Sequence, residues 1–278
     1  MKKILCLILG IAIMTTVCTA YAVDTYKGYN IPVDIMVNGS FVKCAEKPIM
    51  IDSSTYIPLR AFGDAIGGDI SWSEENMCAT LEKSGHKFEF YSDMDFCIID
   101  GEAKAYGSVN YEDLLFVPVR ALSEVLGYGV EWDGLYLIVK ITAPEVTVSD
   151  SAIDRSYTYD DIVYLSKITQ IESGYQDFRV RLGVAGTVMN RVRSKEFPNT
   201  VKDVIFDTKY SVQFPPAHTD KFNNAPSKES TIAAKCALNG VNNVGNSLYF
   251  VDSAYTKGSW VHNNRPHYVT IVDMDFYE

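Results

Sequence analysis

The feature that most constrains how this 278-residue chain can fold is an internal repeat in its first half. The segment PLRAF at residues 58–62 recurs sixty residues later as PVRAL at residues 118–122. The same spacing relates Trp72 to Trp132. Two copies of one unit predict a module in which both copies adopt the same local fold and pack against each other.

Each copy is predicted to fold as strand, hairpin, short helix and strand. A polar turn of the type that closes a tight hairpin precedes each PxRA segment. A glycine is expected to end each helix, and the tryptophan to open the next strand. The predicted features are the turns Asn38-Gly39 and Asp100-Gly101, the helices 60–66 and 120–126 ended by Gly67 and Gly127, and a strand at 135–141.

The first 22 residues have the composition of a targeting segment. Lys2 and Lys3 precede an apolar stretch, and Ala20-Tyr21-Ala22 provides small residues beside a cleavage site. A membrane anchor is the alternative, but the apolar stretch is shorter than the about 20 residues that a spanning helix needs. We therefore expect residues 1–22 to be a signal peptide and the mature protein to be secreted.

Composition changes sharply near residue 144, where proline and small polar residues interrupt the apolar pattern. Residues 23–154 carry 9 basic and 22 acidic side chains, a net charge of −13, whereas residues 155–278 carry 14 and 13, a net charge of +1. The acidic excess argues against nucleic acid or an anionic membrane as a partner. The predicted division is a signal peptide at 1–22, a first module at 23–143, a linker at 144–156 and a second module at 157–278.

The cysteines and histidines give no support for a metal site. Beyond the leader, Cys44, Cys78, Cys97 and Cys236 occur at unrelated spacings, without the Cys-x-x-Cys pattern of structural zinc. At most one disulfide is plausible within the first half. We predict no metal and no cofactor.

The second module has helices first and short strands afterwards, which is an α+β pattern. Thr158 begins a predicted helix at 159–173, and further helices are predicted at 181–193 and 228–238. Short strands are expected at 248–251, around Tyr268 and around Phe276. Arg191 is expected to lie off the apolar stripe of its helix and to bridge backbone carbonyls.

Glu172 falls in the last turn of the first of these helices. The carbonyl end of a helix disfavours a carboxylate and raises its pKa, so Glu172 is a candidate general acid. The alternative is a solvated acid at a helix end, which position alone favours.

The doubled PxRA element with its trailing glycine and tryptophan resembles the copper amine oxidase N-terminal-like, or stalk, domain of secreted bacterial proteins. The resemblance covers about residues 29–141. It implies an accessory module that is either a spacer or a unit that binds cell-envelope components. Copper is not expected, because the segment has a single histidine, His86, and no cluster of ligands.

A second resemblance covers nearly all of residues 159–277. Its motifs are Ile171-Glu172-Ser173, 188–192, 197–201, Gln213-Phe214, Tyr249-Phe250 and Phe276-Tyr277. Together they resemble the catalytic domain of bacterial cell wall hydrolases of the spore cortex-lytic type. The resemblance implies a lysozyme-like fold that cleaves the glycan strands of peptidoglycan, with Glu172 as the acid. The chain departs from the family pattern after Glu172, at 173–177, and before Phe276, where the family commonly has a histidine and this chain has Val272-Asp273-Met274-Asp275.

The number of carboxylates bears on the mechanism. A glycosidase uses an acid and usually a second carboxylate, for which Asp177 and Glu196 are candidates. A lytic transglycosylase needs only one glutamate, which serves as acid and then as base. We therefore favour the transglycosylase reaction over simple hydrolysis.

Further residues are predicted to contact substrate. Gln213, Tyr210, Asn190 and Tyr249 are candidates for binding the glycan, and Trp260 and Tyr268 for stacking on sugar rings. The expected partner is peptidoglycan, in the cell wall or spore envelope. The alternative is a non-catalytic envelope protein, with both modules binding wall polymer. The sequence leaves open whether the substrate is spore cortex or vegetative wall, and whether the protein acts in germination or sporulation.

Overall fold

The computed structural model describes residues 22–92, 94–209 and 211–278. The predicted signal peptide therefore lies outside the described residues, apart from Ala22. Tyr210, one of the predicted substrate ligands, also lies outside them.

The described part of the first half, residues 22–92 and 94–143, is built mainly of strands. Its strands are β1 (Thr25–Tyr26), β2 (Tyr29–Asn30), β3 (Asp34–Val37), β4 (Ser40–Phe41), β5 (Ile49–Ile51), β6 (Ser54–Pro58), β7 (Asp69–Ser73), β8 (Cys78–Lys83), β9 (His86–Tyr91), β10 (Cys97–Ile99), β11 (Glu102–Lys104), β12 (Val109–Tyr111), β13 (Leu114–Pro118), β14 (Gly129–Asp133) and β15 (Ile138–Thr142). Its two α-helices are α1 (Leu59–Ile66) and α2 (Val119–Val125).

The two copies of the repeat are related by pairing of equivalent strands. β6 and β13 lead into the two helices and pair antiparallel, with Ile57 opposite Val117. These two residues occupy the same position in the two copies, so the copies face each other about a local twofold axis. The predicted hairpin turns are also present, because β3 connects to β4 through residues 38–39 and β10 to β11 through residues 100–101.

The predicted place of the two tryptophans is wrong. Trp72 and Trp132 do not open a strand; each is the fourth of five residues in the strand that directly follows its helix, β7 after α1 and β14 after α2. Trp132 pairs with Val139 and Trp72 with Ala79. The turn between the paired strands comes after the tryptophan, a position that the strand propensity of the aromatic residue does not reveal.

The start and the end of the first module are joined in one sheet. β3 pairs in parallel with β15, so the strand order is β14-β15-β3-β4. The other large sheets have the orders β11-β10-β9-β8-β7 and β12-β13-β6-β5. The buried residues between them, including Phe62, Phe88 and Leu122, form the core of this module.

The second half contains the longer helices and a small sheet, which confirms the predicted α+β class. Its α-helices are α3 (Tyr159–Ser173), α4 (Phe178–Arg193), α5 (Val201–Ile205), α6 (Lys228–Leu238), α7 (Ser253–Thr256) and α8 (Trp260–Asn264). Its strands are β16 (Tyr249–Asp252), β17 (His267–Ile271) and β18 (Met274–Tyr277), in the order β16-β18-β17. Short 3-10 helices lie at Asp150–Ala152, Pro215–His218 and Asp220–Asn223.

Side-chain caps explain where the long helices begin. The Thr158 hydroxyl accepts a hydrogen bond from the Asp161 N–H, and the Asp161 carboxylate accepts one from the Thr158 N–H, which is a complete capping box. Asp177 caps α4 by accepting a single hydrogen bond from the Arg179 N–H at 2.9 Å. Because of that cap, α4 begins at Phe178, three residues before the predicted start. The short helices α7 and α8 were not predicted.

The two halves share buried contacts. Leu137, at the end of the first module, belongs to the apolar core formed by the C-terminal helices. The rings of Tyr26 and Tyr29 lie 5.2 and 5.5 Å from that of Phe178. The C-terminal helices therefore pack directly against the first module.

Lys235 lies at the centre of this junction. Its Nζ is 2.9 Å from Asp34 Oδ2 and donates hydrogen bonds to the carbonyls of Tyr136 and Leu137 at 2.9 and 2.7 Å. The Tyr157 hydroxyl donates to Asp34 Oδ1 at 2.8 Å. One lysine of α6 therefore meets three oxygen atoms of the first module.

The predicted linker at 144–156 is attached along the first module. The Asn38 amide donates to the carbonyls of Ala143 and Val146 at 2.6 and 2.8 Å. Further on, Val42 forms a bridge with Ile153. Within the described ranges, no helix has the length and apolar character needed to cross a membrane.

Candidate active site

Glu172 lies in the last turn of α3, where the sequence predicts it. Its side chain is partly buried, and its Oε1 atom has no hydrogen-bond partner among the described residues. Burial raises the pKa of the carboxyl group, and the nearby charge of Arg191 lowers it in part. The main cause of the raised pKa is therefore loss of water to burial.

Arg191 is the cation beside Glu172. It is buried, with its guanidinium 4.8 Å from the ring centre of Phe197, 5.1 Å from that of Phe214 and 5.5 Å from that of Tyr249. Burial lowers the pKa of this guanidinium to about 10, so it remains positively charged at neutral pH. The expectation that Arg191 lies off the apolar stripe did not anticipate this burial, which arises because aromatic rings from three other segments cover it.

Arg191 is only partly satisfied by hydrogen bonds. Its Nε donates to the Leu248 carbonyl at 2.7 Å, as expected for an arginine that bridges to the backbone. Its Nη1 is buried without a partner among the described residues. A cation with an open donor and an acid with an open oxygen therefore lie in the same region, where a bound polar molecule would find unsatisfied groups.

A groove of about 730 Å³ opens beside Arg191. Its lining includes Gln213, Tyr249, Trp260 and Arg265 in addition to Arg191. Two of the predicted substrate ligands, Gln213 and Tyr249, are thus brought together with Trp260, which was predicted to stack on a sugar ring. Glu172 is not among the described residues that line this groove; its link to the groove is the charge of Arg191.

Aromatic and charged side chains hold the far wall of the groove. Arg265 stacks on Tyr249 at 4.6 Å from the ring centre and donates from Nη2 to the Tyr249 hydroxyl at 2.8 Å. Trp260 packs edge-on against Tyr249 at 6.0 Å and remains exposed. Gln213 uses its amide on Ser211, donating to its carbonyl at 3.3 Å. The wall thus presents aromatic faces together with hydrogen-bonding groups.

Asn190 has a different position from the other predicted ligands. Its amide donates to the carbonyls of Gly245 and Ser247 at 2.8 and 3.0 Å. Tyr268 packs on the same loop, where a side chain at Gly245 would lie 2.5 Å from the Tyr268 ring. Neither Asn190 nor Tyr268 lines the groove as described. Both support the loop that precedes β16, and Asn190 does so with both of its amide donors.

The two candidates for a second carboxylate are engaged elsewhere. Asp177 is the cap of α4, and its hydrogen bond from the Arg179 N–H holds the pKa of its carboxyl below the usual value. Glu196 lines the groove but lies 3.2 Å from Arg265 Nη2 in an exposed ion pair. Glu172 is thus the carboxyl whose environment favours the protonated form.

Asp275, in the segment before Phe276 where the family commonly has a histidine, is tied into the small sheet. Its two oxygens accept hydrogen bonds from the hydroxyls of Thr270 at 2.6 Å and Thr256 at 2.8 Å. The His267 ring lies 3.7 Å away. Asp275 therefore stabilises the loops around β17 and β18. Among the described residues, no group of three or more His, Cys, Asp and Glu side chains is arranged to hold a metal ion.

Residues 176–277 match the family model described as Cell Wall Hydrolase. The C-terminal half carries a cell wall hydrolase domain. Residues 36–141 match the model of the copper amine oxidase N-terminal domain. These two matches confirm both resemblances predicted from the sequence. The cell wall hydrolase match begins at residue 176, so Glu172 lies just before it.

Spore cortex-lytic enzymes are among the curated relatives of the chain. Over 109 residues the chain is 28% identical to the spore cortex-lytic enzyme of Bacillus cereus, covering 39% of this chain and 41% of the relative. It is 25% identical over 109 residues to the spore cortex-lytic enzyme of Oceanobacillus iheyensis, covering 39% and 38%. The chain thus matches about two fifths of the length of these relatives.

A solved structure also matches this part of the chain. It is the catalytic domain of the germination-specific lytic transglycosylase SleB from Bacillus anthracis, at 27% sequence identity. The match covers 45% of this chain and 100% of that chain, with a TM-score of 0.41.

Proposed function

We propose that the cell wall hydrolase domain cleaves the glycan strands of peptidoglycan, with Glu172 as the general acid. The observation that carries the proposal is the environment of Glu172: a carboxyl whose pKa is raised by burial, with an unpartnered oxygen among the described residues, beside the buried cation Arg191. An acid catalyst near neutral pH needs such an environment. The names of the aligned relatives support the choice of peptidoglycan as substrate.

The reaction we propose is that of a lytic transglycosylase. Protonated Glu172 donates its proton to the glycosidic oxygen bonded to C1 of muramic acid. The C1–O bond breaks, and its electron pair stays on that oxygen. The Glu172 carboxylate then takes the proton from the muramoyl 6-hydroxyl as O6 bonds to C1. The product is a 1,6-anhydro end, no water is consumed, and Glu172 is protonated again.

Arg191 has a defined part in this sequence of steps. After the first proton transfer, Glu172 is a carboxylate in a partly buried site, which is unfavourable without a compensating charge. The guanidinium of Arg191 provides that charge without moving, because three aromatic rings hold it. Arg191 therefore stabilises the ionised form of Glu172 and acts as a positioning and electrostatic residue.

The groove is the proposed site for the sugars. Tyr249 and Trp260 present rings on which the apolar faces of sugar rings pack, and Gln213 offers an amide for hydroxyl or acetamido groups. Tyr210 is kept as a predicted ligand. For Asn190 we propose an indirect part, since its amide supports the 245–247 loop.

We infer that the protein acts outside the cytoplasm, in the cell wall or spore envelope, after removal of residues 1–22. No cofactor is required by the proposed reaction. Digestion of purified spore cortex in parallel with vegetative sacculi distinguishes the two substrates, since the muramic lactam is found in cortex.

The decisive experiment compares the full chain with Glu172→Gln, using Glu196→Gln as the matched control. Soluble fragments released from sacculi are analysed by mass spectrometry. We expect Glu172→Gln to release at least about 1000-fold less material, because it cannot donate the proton. Glu196→Gln should still cleave the glycan, with any change confined to substrate binding because Glu196 lines the groove, and the fragments should carry anhydromuramic ends.

Three results contradict the proposal in different ways. Equal loss of activity in Glu172→Gln and Glu196→Gln, with reducing ends in the products of the parent protein, indicates a two-carboxylate hydrolase. Full activity of Glu172→Gln removes Glu172 from the mechanism. Binding of the parent protein to sacculi without release of fragments supports the non-catalytic alternative.

A further inference from the structure

A second cleft, of about 590 Å³, lies on the first module. It is formed where the two copies of the repeat meet. The first copy contributes the β5–β6 hairpin around residues 53–56, and the second copy contributes the start of α2 and the strands β14 and β15. Lys228, the first residue of α6, also lines it, so the cleft adjoins the junction with the cell wall hydrolase domain.

The side chains in this cleft combine exposed aromatic rings with polar groups. Trp132 and Tyr106 are 37% and 38% exposed although they are large apolar residues. Arg120 lies 3.6 Å from Glu124 in an exposed pair on the first two turns of α2. Aromatic faces with a few hydrogen-bonding groups in a concave site of this volume are typical of ligand-binding sites.

The charge of the module restricts the ligand. Residues 23–154 carry a net charge of −13, which repels anionic polymers such as those rich in phosphate. Arg120 does not reverse this, because Glu124 is next to it. An uncharged chain with apolar faces and many hydroxyl groups meets no such repulsion, and sugars have this chemistry.

The repeat supplies an internal comparison for Trp132. Trp72 is the equivalent residue of the first copy and is 47% exposed, but it does not line the cleft. Both tryptophans lie on equivalent strands and pair with equivalent residues of the next strand. The fold of the unit alone therefore does not create the cleft; the neighbouring β5–β6 hairpin and the loop with Tyr106 complete it around the second copy only.

We propose that the cleft around Trp132 binds an uncharged glycan strand, and that it holds the wall polymer while the cell wall hydrolase domain acts on it. Trp132 and Tyr106 stack on sugar rings, and Arg120 and the hydroxyls of residues 53–55 bind polar groups of the sugars. The identity of the polymer as peptidoglycan rests on the proposed function. The existence of a glycan site on the first module does not.

The experiment uses the full chain with Glu172→Gln, so that binding is measured without cleavage. Trp132→Ala is compared with Trp72→Ala, which removes the same side chain from the other copy. The probe is insoluble chitin, a polymer of N-acetylglucosamine that carries no charge, and binding is measured by co-sedimentation with it. We expect Trp132→Ala to bind about tenfold more weakly and Trp72→Ala to bind as the parent does.

A further variant and a thermal denaturation control test whether weaker binding comes from lost contacts or from lost stability. Arg120→Ala should weaken binding without lowering the melting temperature by more than Trp72→Ala does. Equal binding by Trp132→Ala and Trp72→Ala overturns the proposal, and so does failure of the Glu172→Gln chain to sediment with chitin. Failure of the proposed function gives a different result. If the parent protein releases no fragments but glycan binding still depends on Trp132, the binding cleft is supported and only the catalytic proposal is wrong.

Discussion

Lys235 at the junction and Arg191 at the candidate active site are both buried cations, but their surroundings differ. Lys235 is 0% exposed, and its ammonium group meets a carboxylate and two backbone carbonyls. Arg191 is 5% exposed, stacks on three aromatic rings and donates to one carbonyl. Its Nη1 has no partner among the described residues.

The difference indicates what each region is built for. Burial lowers the pKa of Lys235, and the charge of Asp34 opposes that change. The two opposite charges therefore compensate each other in the buried junction. Around Arg191 the compensation is incomplete, because its Nη1 and Glu172 Oε1 are both left open. Unsatisfied buried groups are costly, and proteins keep them where function requires them. We propose that the junction acts as scaffold, and that the open groups of Arg191 and Glu172 serve the reaction.

The largest effect is expected from Lys235→Met. The substitution leaves the Asp34 carboxylate buried without its cation, which costs about 3–5 kcal/mol in the free energy of unfolding. Urea unfolding at pH 7 measures the loss. Because the lysine joins the two halves, we also expect the unfolding transition to separate into two steps.

Two further variants sharpen that measurement. Asp34→Leu combined with Lys235→Met removes both charges, so we expect it to recover part of the lost stability. Arg155→Met breaks the exposed pair with Asp150 and should change stability by less than about 0.5 kcal/mol. A loss in Lys235→Met no larger than in Arg155→Met would show that the junction contributes little.

Local sequence patterns were sufficient for much of the fold. The start of α3 follows from the capping box of Thr158 and Asp161, and both bounds of α3 and α6 agree with the prediction. The turn at residues 38–39 also follows from its own residues. Such features depend on neighbours within a few positions, so the sequence contains their full physical cause.

The burial of both cations depends on distant segments and was not predictable. Arg191 donates to a carbonyl 57 residues away, and Lys235 to one 98 residues away. The position of Glu172 at the end of a helix was predictable, but the loss of water that raises its pKa comes from tertiary packing. The difference between Trp132 and Trp72 likewise depends on which elements of the module surround each ring.

Removing the charge of Arg191 tests the role of the active-site cation. Arg191 lowers the pKa of Glu172, so in Arg191→Met we expect the alkaline limb of the pH–activity profile to move to higher pH. Activity at the optimum should fall about 100-fold, because the ionised form of Glu172 loses its compensating charge. Fragment release from sacculi across a pH series gives both quantities.

Arg191→Lys is the matched control, because it keeps the charge and loses the planar stacking on the rings. We expect its alkaline limb to stay near that of the parent protein. If the alkaline limb of Arg191→Met stays at the pH of the parent protein and the melting temperature is normal, Arg191 does not influence the ionisation of Glu172.

The smallest expected effect is on the free energy of unfolding, which the ionised form of Glu172 lowers. Its folded-state pKa lies above the unfolded-state value, so its contribution to stability is fully present below the unfolded pKa and is lost as the pH rises through the folded pKa. Glu172→Gln carries no such charge, so it should be more stable than the parent at pH 7 by about 1 kcal/mol. The difference should disappear below about pH 4, where Glu172 is protonated in both states.

Urea unfolding at a series of pH values measures this difference in stability, with Glu196→Gln as the exposed control. If Glu172→Gln is no more stable than the parent at pH 7, the charge of Glu172 is compensated as fully as that of Lys235. The two regions would then not differ in charge compensation.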